Sequence, residues 1–448
     1  MGLSLSSIVP APRDEVFAWH QRPGAIERLT PPWMPVRIKQ ETDDLGAGQA
    51  VLGFPFGIDW VAQHSDLEAP DHFVDELTSA PLRWAVNWKH THSFDAVGND
   101  QTRVTDRIDS NVPGFLLRSM LAYRHQQLAD DLAALRRVPG FKPLTVAVTG
   151  THGTVGRGLV ALLGTAGHTV VKLVRGEPSS PSERRWNPDH PADDLLDGID
   201  AVVHLAGAPI GGRFTDAHRH AIVESRIGPT RELATLAATS DPRVFVCASA
   251  IGWYGADRGD ELLTEHSERG TGFLADLVEN WERATDPARD AGLRVVNIRT
   301  GLVQTPAGGI LRLQYPMFAA GLGGPLAGGK QWQPWIGVDD LLDVYHRALL
   351  DDELSGPVNG VGPDPVRNRD YTRVLAHVLH RPALFRVPSI GPRILLGPEG
   401  AKELAEASQR VVPAVLDRLG HTFRYPKLDG ALRHLLGRNS TADSAPST

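Results

Sequence analysis

The sequence predicts an α/β protein built on a doubly wound parallel sheet, with an α+β segment before it and a small, mainly helical region after it. Three observations lead there. The chain has 448 residues, about three units at roughly 150 residues per domain. From Leu144 onward, short apolar runs alternate with helix-length stretches, the pattern of a parallel sheet covered on both faces. The first of those runs leads straight into a glycine-rich turn and then an apolar helix.

Composition narrows the class. Hydrophobic residues make up 41% and charged residues 22%, as in ordinary globular proteins, which argues against a disordered or fibrous chain. Cys247 is the single cysteine, so no internal disulfide can form, which suits a reducing, cytoplasmic setting. No apolar run approaches the ~18 residues of a membrane span, and no basic-then-apolar secretion signal opens the sequence. With 46 Lys+Arg against 53 Asp+Glu the net charge is −7, so there is no global cationic field for nucleic acid.

Residues 1–137 hold strand-like runs at Gly48–Phe54, Ile58–His64, His72–Thr78, Arg83–Phe94 and Thr102–Ile108, separated by turn signals such as Glu68-Ala-Pro70 and Val97-Gly-Asn-Asp100. A helix is expected over Gly114–Arg136, striped by Leu117, Leu121, Leu128, Leu132 and Leu135. Residues 138–143 read as a linker. The central region, 144–355, shows buried-type strands at Leu144–Thr149, Thr169–Val174, Ala201–Leu205, Val244–Ala248 and Leu293–Ile298, with helices expected over Phe214–Ala238 and Phe273–Ala291. Residues 356–436 hold prolines and short helices, and 437–448, rich in Ser, Thr and Ala, read as a disordered tail.

The turn after the first central strand is Gly150-Thr151-His152-Gly153-Thr154-Val155-Gly156. Its first glycine permits a tight turn, the second lets backbone approach a pyrophosphate, and the third lets the helix pack on the strand. The helix N-terminus offers free N–H groups and partial positive charge. This makes the central region a Rossmann-type dinucleotide site, with Gly150 to Gly156 as the cofactor cradle. The next strand ends at Arg175 rather than at an acid. An arginine can pair with a 2′-phosphate that an acid would repel, which favours NADP; Glu177, two residues on, keeps NAD open.

Several segments carry a family resemblance. Gly150–Gly156, His204-Leu205-Ala206-Gly207, Ser249-Ala-Ile-Gly-Trp-Tyr254-Gly255 and Arg299-Thr-Gly301 resemble the extended short-chain dehydrogenase/reductase superfamily. Leu205–Ile210, Glu224-Ser-Arg226, Gly321–Pro325, Trp335–Asp340 and the stretch Asn359 to Arg369 resemble its atypical NAD(P)-dependent epimerase-like branch, labelled nucleoside-diphosphate-sugar epimerases. The match covers about 144–436, and His421–Pro426 looks like that branch's small uncharacterised C-terminal domain. The first 137 residues resemble START-like, polyketide-cyclase-like helix-grip domains through Val9–Pro12, Ile26–Trp33 and Tyr123-Arg-His125. The resemblance implies an α+β helix-grip domain for an apolar ligand, a Rossmann-type doubly wound sheet and a C-terminal domain completing the substrate side.

For the site, the resemblance implies cofactor contacts from residues 150–156, Arg175, Leu205, Ala206, Gly207 and Ser249. It also implies a substrate-orienting Ser, a proton-transferring Tyr, a Lys four residues later and a supporting Asn. Ser249 takes the serine place. The Tyr-x-x-x-Lys pair is missing: its places hold Leu274 and Val278, or Phe273 and Leu277 one residue earlier. Arg226 stands where the Asn belongs and, always cationic, serves an oxyanion or phosphate but not as a base. Tyr254 is the nearest phenol to Ser249. Ser249, Tyr254 and Arg226 are thus the catalytic candidates.

Other residues read more plainly. His204 reads as a hydrogen-bonded core histidine. Asp339 and Asp340 read as helix-capping acids, and the tryptophans as core and cavity lining. His90 and His92 share one face of a strand but are two ligands without a third, so no metal is assigned. Gly321–Pro325 and Gly328-Gly-Lys330 read either as a mobile loop over the substrate pocket or as an ordinary flexible connection, and Lys330 lacks P-loop spacing. The expectation is an NADP(H)-binding oxidoreductase or isomerase of epimerase-like type without the usual Tyr–Lys pair. The alternative is a non-catalytic NADP-dependent sensor or scaffold. The substrate and the oligomeric state are left open.

Overall fold

The computed structural model describes residues 2–439 except 139, 386 and 389; within the expected tail, 440–448 lie outside the described residues. Among the described residues two compact units form, one from the stretches 2–143, 161–168 and 433–439, the other from 144–160 and 169–432. Residues 356–432 of the C-terminal region lie in the second unit.

The first unit runs β1 (Gly2–Val9), α1 (Arg13–Gln21), α2 (Ala25–Leu29), β2 (Arg37–Gln40), β3 (Gln49–Gly53), β4 (Asp59–Glu68), β5 (His72–Leu77), α3 (Leu82–Ala85), β6 (Trp88–Val97), β7 (Gln101–Ser110) and α4 (Gly114–Arg136). Its strands form one antiparallel sheet in the order β1-β7-β6-β5-β4-β3-β2. Val16, Trp19, Phe94, Val104, Leu128 and Leu132 build its core. Helix α4 has the bounds read from the sequence, but its inner face is partly polar. Buried Asp131 accepts two bonds from the Arg28 guanidinium, at 2.8 and 2.7 Å. The strand expected over Arg83–Phe94 begins only at Trp88. After Pro81 the amides of Arg83, Trp84 and Val86 close local turns onto Ser79, Pro81 and Leu82.

The second unit opens with β8 (Thr145–Thr149), α5 (Thr154–Thr165), β9 (Thr169–Val174), β10 (Glu183–Arg185) and β11 (Ala201–His204). It continues with α6 (Asp216–Glu224), α7 (Ile227–Ala238), β12 (Val244–Ala250), β13 (Asp257–Leu263), α8 (Phe273–Arg283), α9 (Asp286–Asp290) and β14 (Arg294–Thr300). Then come β15 (Leu302–Gln304), α10 (Gly309–Ala319), β16 (Trp332–Gln333), β17 (Trp335–Gly337), α11 (Val338–Leu350), β18 (Gly356–Gly360), β19 (Val366–Arg367) and α12 (Asn368–Val378). The unit closes with α13 (Ile390–Gly400), β20 (Ser408–Val411) and α14 (Ala414–Arg418), followed by α15 (Leu428–Leu435).

Seven strands form a parallel sheet in the order β10-β9-β8-β11-β12-β14-β18. Val146, Val148, Val202, Val246, Val296 and Ile298 are fully buried, as strands covered on both faces require. The chain moves from β8 out to β9 on one side and back to β11 on the other, so the sheet's switch point lies at the carboxyl end of β8. Two helices expected as single runs are each broken. Phe214–Ala238 divides into α6 and α7, and Phe273–Ala291 into α8 and α9. Pro229 and Pro287 explain both breaks, because each ring would strike the carbonyl four residues back and has no N–H to give it. Among the described residues no helix is long and apolar enough to cross a membrane.

Candidate dinucleotide and substrate site

Strand β8 delivers the chain into the glycine turn at the switch point. Gly150 has φ 70°, and a Cβ there would lie 2.8 Å from the Leu205 carbonyl. A Cβ on Gly156 would come within 2.2 Å of the Gly150 oxygen. Both positions exclude any side chain. At Gly153 a Cβ would meet only that oxygen, at 3.2 Å, so this side of the turn is open. His152 and Gly153 are exposed, Thr154 and Val155 half-buried and Thr151 buried. That open side, with the first amides of α5 beside it, fits a dinucleotide diphosphate.

The loop after β11 is tied to β8 by Thr149. Its hydroxyl accepts the Leu205 and Ala206 amides at 3.0 and 3.2 Å and lies 2.8 Å from His204 Nδ1. With both amides donating, the hydroxyl proton goes to Nδ1, which leaves His204 a neutral Nε2–H tautomer. Burial, helped by Arg226, lowers the His204 pKa to about 4. His204 thus sits in the core, held by a hydrogen bond. Thr149→Val should cost about 1–3 kcal/mol by leaving those amides without an acceptor, read as a lower urea midpoint at unchanged slope.

Arg226 lies in the break between α6 and α7 and is buried. Its guanidinium donates to Ala208 O at 2.9 Å and Ile222 O at 3.2 Å and lies 5.0 Å from the Trp281 ring. A Cβ on Gly207 would be 2.9 Å from its central carbon. Burial pulls its pKa down to about 10. The arginine fastens the Leu205–Ala208 loop to the helices.

At the carboxyl ends of β12 and β14 stands a network the motifs did not disclose. Ser249 Oγ donates to Glu282 Oε1 at 2.6 Å. Arg299 donates to both Glu282 oxygens, each at 2.8 Å, with its guanidinium 3.9 Å from the Trp253 ring. Burial opposes the Arg299 charge, but Glu282 outweighs it and holds the pKa above the ordinary arginine value. Tyr254 is fully buried and donates its phenol to Asn359 Oδ1 at 2.7 Å; burial pushes its pKa to about 12. Leu274, Leu277 and Val278, at the places of the missing pair, are buried apolar side chains. Glu282 lies on the same helix, two turns beyond Leu274, where no short motif looks for it.

Arg175 is exposed at the end of β9 with no ion pair among the described residues, while Glu177 pairs with Arg185 at 2.7 Å. Asp339 and Asp340 do lie in the first turn of α11, but Asp340's oxygens accept the Arg424 and Tyr425 amides at 2.6 and 3.3 Å, rather than capping their own helix. Burial pushes the Asp340 pKa to about 7. The glycine loop is pinned, since Pro325 O accepts the Val387 amide and Asn368 Oδ1 the Leu326 amide.

The first unit holds a cavity of about 340 Å³, bounded by α1, α2, the sheet and α4. His90 and His92 line it, and Asp75 on β5, in register with His90, brings a carboxylate beside both rings. Burial opposes charge on His90, yet Asp106 and Asp75 outweigh it and raise its pKa to about 9, so near neutral pH the ring carries a proton that a metal ion has to displace.

Comparisons with known proteins agree with the central unit. The NAD dependent epimerase/dehydratase family model matches residues 146–362, and a domain of unknown function, DUF1731, matches 387–435. Epimerase family protein Mb2239 of Mycobacterium bovis is 39% identical over 296 residues, 65% of this chain and 98% of that protein. The crystal structure of a nucleoside-diphosphate sugar epimerase from Corynebacterium glutamicum is 43% identical with a TM-score of 0.88, over 98% of this chain and 91% of that one. The similarity to it therefore takes in the N-terminal unit. The crystal structure of human epimerase family protein SDR39U1 (isoform 2) with NADPH is 28% identical with a TM-score of 0.60, over 65% of this chain and 99% of that one. Glycine turn, switch point and relatives agree: the chain belongs to the NAD-dependent epimerase/dehydratase family, in its SDR39U1-like branch with a DUF1731 region at the C-terminal side.

Proposed function

We propose that the chain is an NADP(H)-dependent oxidoreductase or epimerase-like enzyme whose substrate lies at the carboxyl ends of β12 and β14. The observation that carries this reading is the turn at 150–156, closed to side chains at Gly150 and Gly156 and open at Gly153. Thr151, His152, Thr154 and Val155 frame the diphosphate, with Leu205, Ala206, Gly207 and Ser249 along the dinucleotide. The dinucleotide supplies hydride exchange at a substrate carbon. Ser249 takes the proton of a substrate hydroxyl as its own proton passes to Glu282, and returns it in the reverse direction. Arg299 fixes the Glu282 carboxylate. Tyr254 and Arg226 position Arg299 and the 205–208 loop.

The name of the Corynebacterium glutamicum relative points to a sugar-nucleotide-like substrate. The unpaired Arg175 and the engaged Glu177 favour NADP over NAD, as does the NADPH of the human relative. Arg175→Ala should weaken NADPH binding about 10- to 100-fold, as loss of a charge-assisted phosphate contact does, and leave NADH binding unchanged in calorimetry. The antiparallel sheet, α4 and the cavity between them support reading residues 1–137 as a helix-grip, START-like domain for an apolar ligand.

A second reading is a non-catalytic NADP-dependent sensor or scaffold, favoured by the buried apolar side chains at the Tyr and Lys places. Calorimetry with NADPH, followed by NADPH oxidation against a panel of carbonyl compounds, separates the two. Binding with turnover that Ser249→Ala abolishes supports the enzyme. Binding without turnover supports the sensor, and no heat with any pyridine dinucleotide overturns both.

A further inference from the structure

We propose that the floor of the N-terminal cavity is a zinc-type divalent metal site, with Asp75, His90 and His92 as ligands and an open position facing the apolar cavity. Asp75 Oδ2 lies 3.4 Å from His90 Nδ1 and 3.2 Å from His92 Nε2. Four-coordinate zinc, with bonds of about 2.0–2.1 Å, places its ligand atoms about 3.3–3.4 Å apart. All three ligand atoms lie within 4.8 Å of one another. The other oxygen of Asp75 accepts the Trp88 indole N–H at 3.3 Å, which leaves Oδ2 to bind in monodentate fashion.

The surroundings repeat a feature of built metal sites, in which the second nitrogen of each ligating imidazole meets a carboxylate. One carboxylate lies behind both rings here: Asp106 Oδ1 is 3.3 Å from His90 Nε2 and 2.7 Å from His92 Nδ1, at ion-pair distance but without hydrogen-bond geometry. Its second oxygen is 3.2 Å from His125 Nε2, and Ser7 Oγ lies 2.6 Å from His125 Nδ1. Asp106, His90 and His92 are each less than 5% exposed. The carboxylate behind the rings stays off the cavity wall, while Asp75 and the two histidines line it.

Three ligands leave one position free, as in catalytic rather than structural zinc sites. The space beyond it is mostly apolar, with Leu29, Leu52, Phe54 and Phe73 on its wall, though Arg124, Glu41 and His64 line it too. The class of ligand that fits is an apolar molecule ending in one oxygen donor, such as a carboxylate. The site draws only on residues of the first unit and is independent of the dinucleotide reading.

The test uses the untagged full chain, stripped with chelator and reloaded with zinc or cobalt(II) before gel filtration. Plasma mass spectrometry should find one zinc per chain, and the cobalt form should show the intense visible absorption of a four-coordinate ion. Decanoate should perturb that absorption. His92→Gln and Asp75→Asn should remove the bound metal, and Asp106→Asn should weaken it about 10- to 100-fold, with the NADPH calorimetry of the wild type unchanged throughout. Substoichiometric metal in the wild type, or a cobalt spectrum of the free aqueous ion, overturns the proposal even if a variant misfolds. Retention by folded His92→Gln and Asp75→Asn overturns it too, and a cobalt spectrum indifferent to decanoate overturns the open position.

Discussion

Gly153→Asp should lower NADPH affinity at least 100-fold in calorimetry, a loss of about 2.7 kcal/mol or more, with no fall in thermal stability. The two halves of this outcome have one origin. Gly153 is not among the glycines with positive φ, and a Cβ there meets only the Gly150 oxygen at 3.2 Å, so the backbone accepts a side chain. The position immediately precedes α5, where Asp is a favoured capping residue. Its carboxylate would take the free amides of the first turn and put negative charge where a diphosphate must sit. Gly156→Ala makes the contrasting control: its Cβ would be 2.2 Å from the Gly150 oxygen, so it should lower the melting temperature as well as the affinity. Unchanged NADPH affinity in folded Gly153→Asp would remove the diphosphate from this turn.

What could be read in advance follows from the range of the interactions involved. The glycine turn is legible because strand, turn and helix are neighbours in sequence, and the bounds of α4 because its leucines repeat locally. Strand β1 was not foreseen: Gly2–Val9 alternates Leu with Ser, and its burial pattern has meaning only once it lies beside β7. The broken helices were legible in principle, since Pro229 and Pro287 are local signals that the apolar periodicity masked. The Asp75–His90–His92 cluster was not. The register Asp75↔His90 and His92↔Asp106 sets the carboxylates beside the imidazoles, and register is a long-range property. Glu282 escaped for the same reason: it meets Ser249 and Arg299 only when α8 packs on β12 and β14.

Glu282→Ala should destabilise the protein by about 3–5 kcal/mol, the usual cost of leaving one member of a buried ion pair alone. The Arg299 side chain is 2% exposed and that of Glu282 12%, so water cannot replace the lost carboxylate. The cation would be left against Trp253 and the Tyr254 phenol, 3.4 Å from Nη1, and Ser249 would lose its acceptor. Glu282→Gln should recover part of the loss, because its carbonyl still accepts from Ser249 and Arg299 Nε while its amide faces a second donor at Nη2. Adding Arg299→Met to Glu282→Ala should restore more, since the uncompensated charge is then gone. Urea midpoints at constant slope measure all three. Turnover should separate from stability: folded Glu282→Gln should lose about 10²–10⁴ in rate, the worth of a positioned general base, with NADPH affinity unchanged. A stable Glu282→Ala would mean that Arg299 finds another partner. A fully active Glu282→Gln would leave Ser249 without its base and end the proton route proposed for this site.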